Sequence, residues 1–224
     1  MENSSLPGVE LAIKTMAETV VANEAYFSQL DAVVADGDFG YSLASGFSAV
    51  LADFDQFDRS SIGTFIKKIA LVISSKVGGA SGPLWGTAFL RAAAAAGDKQ
   101  TLAPGDVVAM LRAAASGIQQ RGGAAPGDKT LLDALIPATD ALEAALTQPG
   151  ATGDHGVGAL QRAAQEARRA AEATAGMIAK KGRAAYTGER SIGSVDAGAV
   201  AVAVIAESIS AAWREFYGSG KEPA

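Results

Sequence analysis

The chain has 224 residues, 49% hydrophobic, 6% aromatic and 19% charged, with a formal net charge of −5 and no cysteine. That length can bury a sizeable core, the charge balance leaves no basic footprint for nucleic acid, and the missing thiols exclude disulfides and thiolate sites and fit a reducing compartment. No secretory signal opens the chain, and the most apolar stretch, 197–206, is too short to span a bilayer, so the expectation is a cytoplasmic globular protein without membrane or nucleic-acid partners.

Taken in chain order, helix follows helix, with gaps marked by glycine, proline and aspartate. Leu11, Ile13, Met16, Val20 and Val21 suit a first helix entering after Pro7, and a polar loop over 31–40 follows. Further helices are predicted over 42–54, 62–77, 84–96 and 104–120, the last opened by a proline tolerated in a first turn. A sixth covers 129–146, with a kink at Pro137. A long seventh covers 157–181, after the surface loop "TQPGATGDHG", and an eighth covers 196–217. Strand-like alternation is confined to "AVAVAVI" (199–205), whose flanks favour a buried helix. The chain reads as all-α, about eight antiparallel amphipathic helices in one domain over 1–217, with a disordered tail over 218–224.

Residues 30–47, "LDAVVADGDFGYSLASGF", carry Asp31, Asp36 and Asp38, and no lysine or arginine lies between Lys14 and Arg59 to neutralise them. Spacings of five and two do not share one helical face. They suit a chain that folds back, with Gly37 and Gly40 allowing close backbone approach. Gathered carboxylates repel one another and raise each other's pKa; a hard divalent cation such as magnesium resolves the conflict and leaves room for phosphates. An EF-hand is excluded, because counting from Asp36 puts Gly40 at the fifth position and Phe47 at the twelfth, where calcium needs oxygen ligands. The other reading of the same residues is a helix cap and a turn.

"GGASGPLWGTAFLRAA" (78–93) runs from a glycine turn into a helix, either an anion cradle of outward-pointing N–H groups or a tight turn chosen for packing. "GGAAPGDKT" (122–130) nearly spells a P-loop, but Asp128 separates Gly127 from Lys129 and no buried strand precedes it. It is a decoy, with Asp128 as a cap for the sixth helix and Thr130 in the first turn. "GRAAYTGERSIGSVDAGA" (182–199) is long and glycine-rich enough for a functional loop. Within it Arg183 or Arg190 could meet a phosphate or simply pair with Glu189 on the surface. His155, the single histidine, belongs to a polar loop with no catalytic constellation around it; Trp85 sits beside the glycine turn and Trp213 suits core or interface packing.

Together "LDAVVADGDFG", "GGASGPLWGTAFLRAA", "PGDKTLLDALIPA" and "GRAAYTGERSIGSVDAG" resemble, in order and register, the nucleotide-binding L subunit of dihydroxyacetone kinases. The resemblance spans nearly the whole chain and implies an eight-helix barrel with a nucleotide, ADP or ATP, at one end. It implies two Mg²⁺ ions held by Asp31, Asp36 and Asp38. The nucleotide contacts it implies are Phe39, Gly40, Tyr41 and Ser42, then Ala80 and Ser81, with Gly122 and Leu131 flanking the base and Arg183, Asp196, Ala197 and Gly198 closing the site. No catalytic side chain is implied beyond Arg183 as a phosphate stabiliser. The sequence departs from the family pattern at Ala35, Phe39, Ser42, Ser194 and Ala197, and Phe39 removes a polar histidine contact. The implied partners are a K-type subunit that holds a small ketose covalently and, on one of two supply routes, a phosphotransferase-system phosphocarrier. A homodimer, another acceptor such as erythrulose, and a non-catalytic regulatory module stay open.

Overall fold

The computed structural model describes residues 4–148 and 156–218, which form nine α-helices and three short 3₁₀ segments. The helices are α1 (Leu6–Ala22), α2 (Glu24–Ala32), α3 (Phe39–Ala52), α4 (Ile62–Lys76), α5 (Ser81–Ala96), α6 (Pro104–Gly122), α7 (Leu132–Leu146), α8 (Val157–Ala173) and α9 (Ala197–Gly218). Eight of them close a ring: α1 packs on α3, α3 on α4, and so on in order to α9, which packs back on α1. The ninth, α2, lies against α3 and α9. This is the expected all-α barrel with one helix more than the sequence suggested.

Each wall helix presents an apolar stripe to the middle, as a period of 3.6 requires. α8 shows the pattern most plainly. Ala159, Ala163, Ala164, Ala167, Ala170 and Ala171 are buried, while Arg168 pairs with Glu207 and Arg169 with Glu166 on the outside. Phe27, Phe47, Phe65, Leu43, Ile62, Ile69 and Ile73 are the largest fully buried side chains. Trp85 is buried too, its ring 6.1 Å from that of Phe47 and nearly perpendicular to it. Ile13, Phe89, Leu135 and Val202 are among the walls of an apolar cavity of about 350 Å³. The half-buried Trp213 covers Gly8, and its ring lies 4.6 Å from that of Tyr217, tilted by 39°.

Alternation of helix direction gathers the loops at two ends. At one, Ser5 N–H donates to Gln100 O and Ile62 N–H to Lys99 O, tying the starts of α1 and α4 to the α5–α6 loop. Gly63, at the second position of α4, allows a very close approach there: a Cβ on it would lie 2.3 Å from Gly97 O and 2.7 Å from Ala93 O. The other end collects the segments 31–42, 77–82, 122–131 and 174–198.

Several boundaries differ from the sequence reading. Residues 24–32 are helical, so Asp31 belongs to the last turn of α2 rather than to a loop. α3 and α5 each begin three residues early, at Phe39 and Ser81. α7 begins at Leu132 and not at 129, because Lys129 has φ +61° and turns the chain. α8 ends at Ala173 and not at 181: a 3₁₀ turn over Thr174–Gly176 follows, and Met177 is extended. There the buried Thr174 hydroxyl donates to Ala171 O and accepts from Asp196 N–H at 2.9 Å, joining the end of α8 to the start of α9. The apolar run 197–206 lies in the last helix, as expected. It belongs to a 22-residue helix long and apolar enough, by length and composition alone, to cross a membrane, but α9 packs against α1, α2, α7 and α8 as a wall of the barrel. His155 and the tail beyond Gly218 lie outside the described residues.

Candidate functional site

Asp31, Asp36 and Asp38 each offer a carboxylate oxygen within 4.8 Å of the others. Local structure brings this about. Asp31, in the last turn of α2, accepts a hydrogen bond from Gly37 N–H at 3.0 Å, which folds the 33–38 turn back over the helix. Gly40 then lets α3 start flush against α2: a Cβ there would lie 2.0 Å from Glu24 O and 2.6 Å from Ser28 N. The close backbone approach expected of Gly40 is therefore an approach to α2. Asp38 stands at the N-cap of α3, yet its side chain makes no capping bond. The cap reading of the aspartates thus fails for Asp38, and its carboxylate is turned to the cluster.

The electrostatics match that geometry. Burial holds the Asp31 carboxyl above its ordinary pKa; the N–H groups of Gly37 and Phe39 oppose this, and the charges of Asp36 and Asp38 add to it. A positive group does reach the cluster, from a part of the chain that the local sequence could not reveal. Arg183 pairs with Asp36 and, at 2.9 Å, with Asp38. Its guanidinium holds Asp36 below the usual carboxylate range, and the two carboxylates, Asp38 foremost, raise its own pKa. These side chains are about half exposed, 52% for Arg183 and 49% for each aspartate, so the pairs are screened and exchangeable. One guanidinium against three carboxylates leaves the pocket negative. Hard oxygen donors at this spacing fit a divalent cation such as Mg²⁺.

The other residues implied by resemblance gather round this cluster in part. Phe39 is half-buried, its ring 6.3 Å from that of Phe27, so it faces the core rather than a polar ligand. Tyr41 is 66% exposed, and its N–H donates to Ser28 Oγ. The Ser42 hydroxyl abuts Gly78, where a Cβ would lie 3.2 Å from it. Beside it Gly78, Gly79 and Ala80 are exposed at the start of α5, and no side chain caps that helix; the positive end of its dipole favours an anion. Across the opening, Gly122 ends α6 against Leu84, while Gly198 lies against Leu131 and the Asp196 carboxylate. Asp196 Oδ1 accepts from Ala199 N–H at 2.7 Å and caps α9, whose first residue, Ala197, is buried. Burial pushes Asp196 up to about 7, with the charges of Asp133 and Asp31 adding and Lys129 opposing. Arg190 forms no ion pair among the described residues, and Arg183 pairs with the aspartates, not with Glu189.

Three residues escaped the sequence reading. Lys129, in the segment set aside as a P-loop decoy, is only 2% exposed and donates to Met177 O, Ser191 O and Ser194 O. Through these bonds it holds the 177–194 segment. The buried Asp133 accepts from Thr130 N–H at 2.7 Å and from Gly127 N–H. Asp133 therefore shapes the start of α7, the role expected of Asp128. Asp128 instead accepts from Ala125 N–H and lies 3.4 Å from Lys180 Nζ. Ser191 is buried, accepts from Ala179 N–H and donates to Gly188 O. Arg183–Ser191 is 3₁₀, broken by a kink at Gly188, whose φ is +55°.

Residues 33–211 match the DAK2 domain family, and the chain belongs to that family. It is 39% identical over 194 residues to the ADP-binding subunit DhaL of a PEP-dependent dihydroxyacetone kinase from Escherichia coli strain K12, covering 85% of this chain and 89% of that one. It is 36% identical over 205 residues to an L-erythrulose kinase of Pectobacterium atrosepticum, covering 91% of this chain and only 34% of the longer relative. The crystal structure of the dihydroxyacetone kinase from C. freundii in complex with AMP-PNP and Mg²⁺ superposes with a TM-score of 0.72 at 26% identity, over 94% of this chain and 34% of that one.

Proposed function

We propose that this DAK2-family chain is the nucleotide-holding, phosphoryl-donor subunit of a two- or three-protein kinase, and that the acceptor is a small ketose such as dihydroxyacetone, held covalently by a separate K-type subunit. The observation that carries the reading is the carboxylate trio with Arg183 over it, facing an uncapped glycine turn across one end of the barrel. Likeness to an ADP-binding subunit that forms nearly all of its own chain supports a nucleotide-holding role in particular.

In this reading Asp31, Asp36 and Asp38 hold a pair of Mg²⁺ ions, and the turn at Ala80 and Ser81 with Ser42 receives the phosphates. Leu131 and Gly122 flank the base. Bound magnesium supplies electrostatic stabilisation of charge on the transferring phosphoryl group. The chain's own part is to gather the carboxylates, to present backbone N–H groups to the phosphates, and to swing Arg183 from Asp36 and Asp38 onto phosphate oxygens. Guanidinium suits that exchange, because its planar donors match carboxylate and phosphate alike.

Phosphate reaches such a subunit by exchange of ATP or by rephosphorylation of resident ADP from a phosphocarrier. Isothermal titration with Mg²⁺-ADP, followed by turnover with a K-type subunit fed either ATP or phosphoenolpyruvate and phosphocarriers, tests the reading and separates the routes. Wild-type protein binds and turns over; Asp36→Asn loses both while keeping its helical circular dichroism. Normal binding of Mg²⁺-ADP by Asp36→Asn overturns the site. The similarity to an erythrulose kinase favours a second acceptor, a four-carbon ketose, which the same assay reads with erythrulose in place of dihydroxyacetone.

A further inference from the structure

Lys129 has features that neither the barrel nor a nucleotide site demands. Its φ of +61° is the only positive value at a non-glycine residue among those described. That backbone conformation costs a side-chain-bearing residue on the order of 1 kcal/mol, and it persists where the surroundings enforce it. The effect is to aim the side chain inward, where it is 2% exposed. There the ammonium donates to Met177 O at 3.1 Å, Ser194 O at 2.7 Å and Ser191 O. An ammonium has three N–H donors and no acceptor, so its bonding capacity is used up on carbonyls. Lys129 has none left for a phosphate.

The three carbonyls are not a random set. Met177 lies near the start of the segment between α8 and α9, just after its first 3₁₀ turn, and Ser191 and Ser194 lie near its end; Arg183 lies between them. One buried cation thus draws together both roots of the loop whose arginine reaches Asp36 and Asp38. Ser191 reinforces the crossing by accepting from Ala179 N–H, and Gly193 N–H donates to Ala175 O. Elsewhere the loop has little apolar anchorage: Tyr186 is 90% exposed and Ile192 50%. A loop with so few buried contacts owes its order to the ties at its base.

We infer that Lys129 is a positioning residue for Arg183, a buried clamp that closes the base of the 177–194 loop and so sets where the guanidinium stands over the carboxylate cluster. The inference rests on reading that cluster as the Mg²⁺-nucleotide site. It gives Lys129 no contact with substrate; its effect passes through Arg183.

The test is a double-mutant cycle with Lys129→Met and Arg183→Ala, read by calorimetric titration with Mg²⁺-ADP and with Mg²⁺ alone. Lys129→Met should mimic Arg183→Ala. Affinity for Mg²⁺-ADP falls by about 10- to 100-fold, the usual cost of losing a group that orients another. Affinity for Mg²⁺ alone does not fall, because no carboxylate is lost. In the Arg183→Ala background Lys129→Met costs less than about twofold more. General loosening of the fold would weaken both ligands, and an independent role would return the full cost in the double variant; either result overturns the inference. Should Lys129→Met not fold, the same cycle is run with Lys129→Arg, which keeps the charge and displaces the donors. The wild-type protein without ligand gives a separate reading through acetic anhydride labelling. Lys129 should acetylate more than about tenfold slower than Lys180, and equal rates overturn the clamp. If wild-type protein binds no Mg²⁺-ADP, the site reading falls, while labelling and hydrogen exchange over 177–194 still judge the clamp.

Discussion

At Asp36 and Asp38 a cation and two anions meet in a half-exposed ion pair whose partners are each suited to something else. Arg183 competes with any metal for the carboxylates and is attracted to any phosphate the metal brings. Removing it therefore has effects of opposite sign. Arg183→Ala should bind Mg²⁺ alone more tightly than wild type and Mg²⁺-ADP more weakly, the latter by about tenfold or more, since a charge-assisted bond to phosphate is lost. Titrations with the two ligands check this, and parallel changes would refute it. Asp196 carries a pH signature. Burial raises its carboxyl from 3.8 to about 7, so between those values the folded chain holds a proton that the unfolded chain has released. Stability contributed by this group therefore falls as pH rises through that window, and the full penalty stands above it. Asp196→Asn keeps an oxygen for Ala199 N–H and removes the titration. In chelator-treated protein its stability relative to wild type should grow with pH between about 4 and 7, by at most about 1.4 kcal/mol per pH unit, in urea titrations; a pH-independent difference would show that Asp196 does not titrate there.

At the scale of elements, what was legible followed from hydrophobic period and punctuation. The wall helices declare themselves by apolar stripes and by glycine and proline at their ends, and these were found to within a few residues. α2 was missed because Glu24–Ala32 is short and buries only Phe27 fully, so it gives a weak periodic signal and is helical because α3 and α9 hold it. The overlong α8 has the opposite cause: apolar periodicity carries on toward 181, while the bonds that stop the helix at Thr174 come from Asp196, far along the chain. The same limit hid Arg183 as the partner of the aspartates. Residue types and local spacing gave the carboxylate trio; a contact spanning some 145 positions is visible only in the fold. Glycines, by contrast, were legible as punctuation but not as packing. At Gly63 a Cβ would press on two backbone oxygens at the α4–α5 contact, and backbone cannot yield. Gly63→Ala should cost about 1–3 kcal/mol, seen as a Tm lower by roughly 2–4 °C per kcal/mol. Gly105→Ala, with open space around the added carbon, should be neutral or stabilising by up to about 1 kcal/mol. Equal Tm values for the two would refute the packing argument.

For the whole molecule, the barrel's closure has a consequence for how ligand binding is felt. The segments at the site end come from α2–α3, α4–α5, α6–α7 and α8–α9, so a ligand held there ties together four hairpins whose helices close the ring. Such a ligand binds only the folded chain, because in the unfolded one Asp31, the 78–82 turn and Arg183 are far apart. Its free energy then adds to folding as RT ln(1 + [L]/Kd), about 2.7 kcal/mol at a hundredfold excess over Kd. For a chain of this size that is a rise in Tm of roughly 5–11 °C. Mg²⁺ and ADP should each give much less alone, since the carboxylates repel an unaccompanied nucleotide and an unaccompanied ion must displace Arg183. Scanning calorimetry with each ligand and with both reads the synergy directly, and the Asp36→Asn variant should lose it without losing its own transition. A Tm rise from ADP alone equal to that from Mg²⁺-ADP would mean that the nucleotide is held without the carboxylates, and the electrostatic account of this end of the barrel would fail.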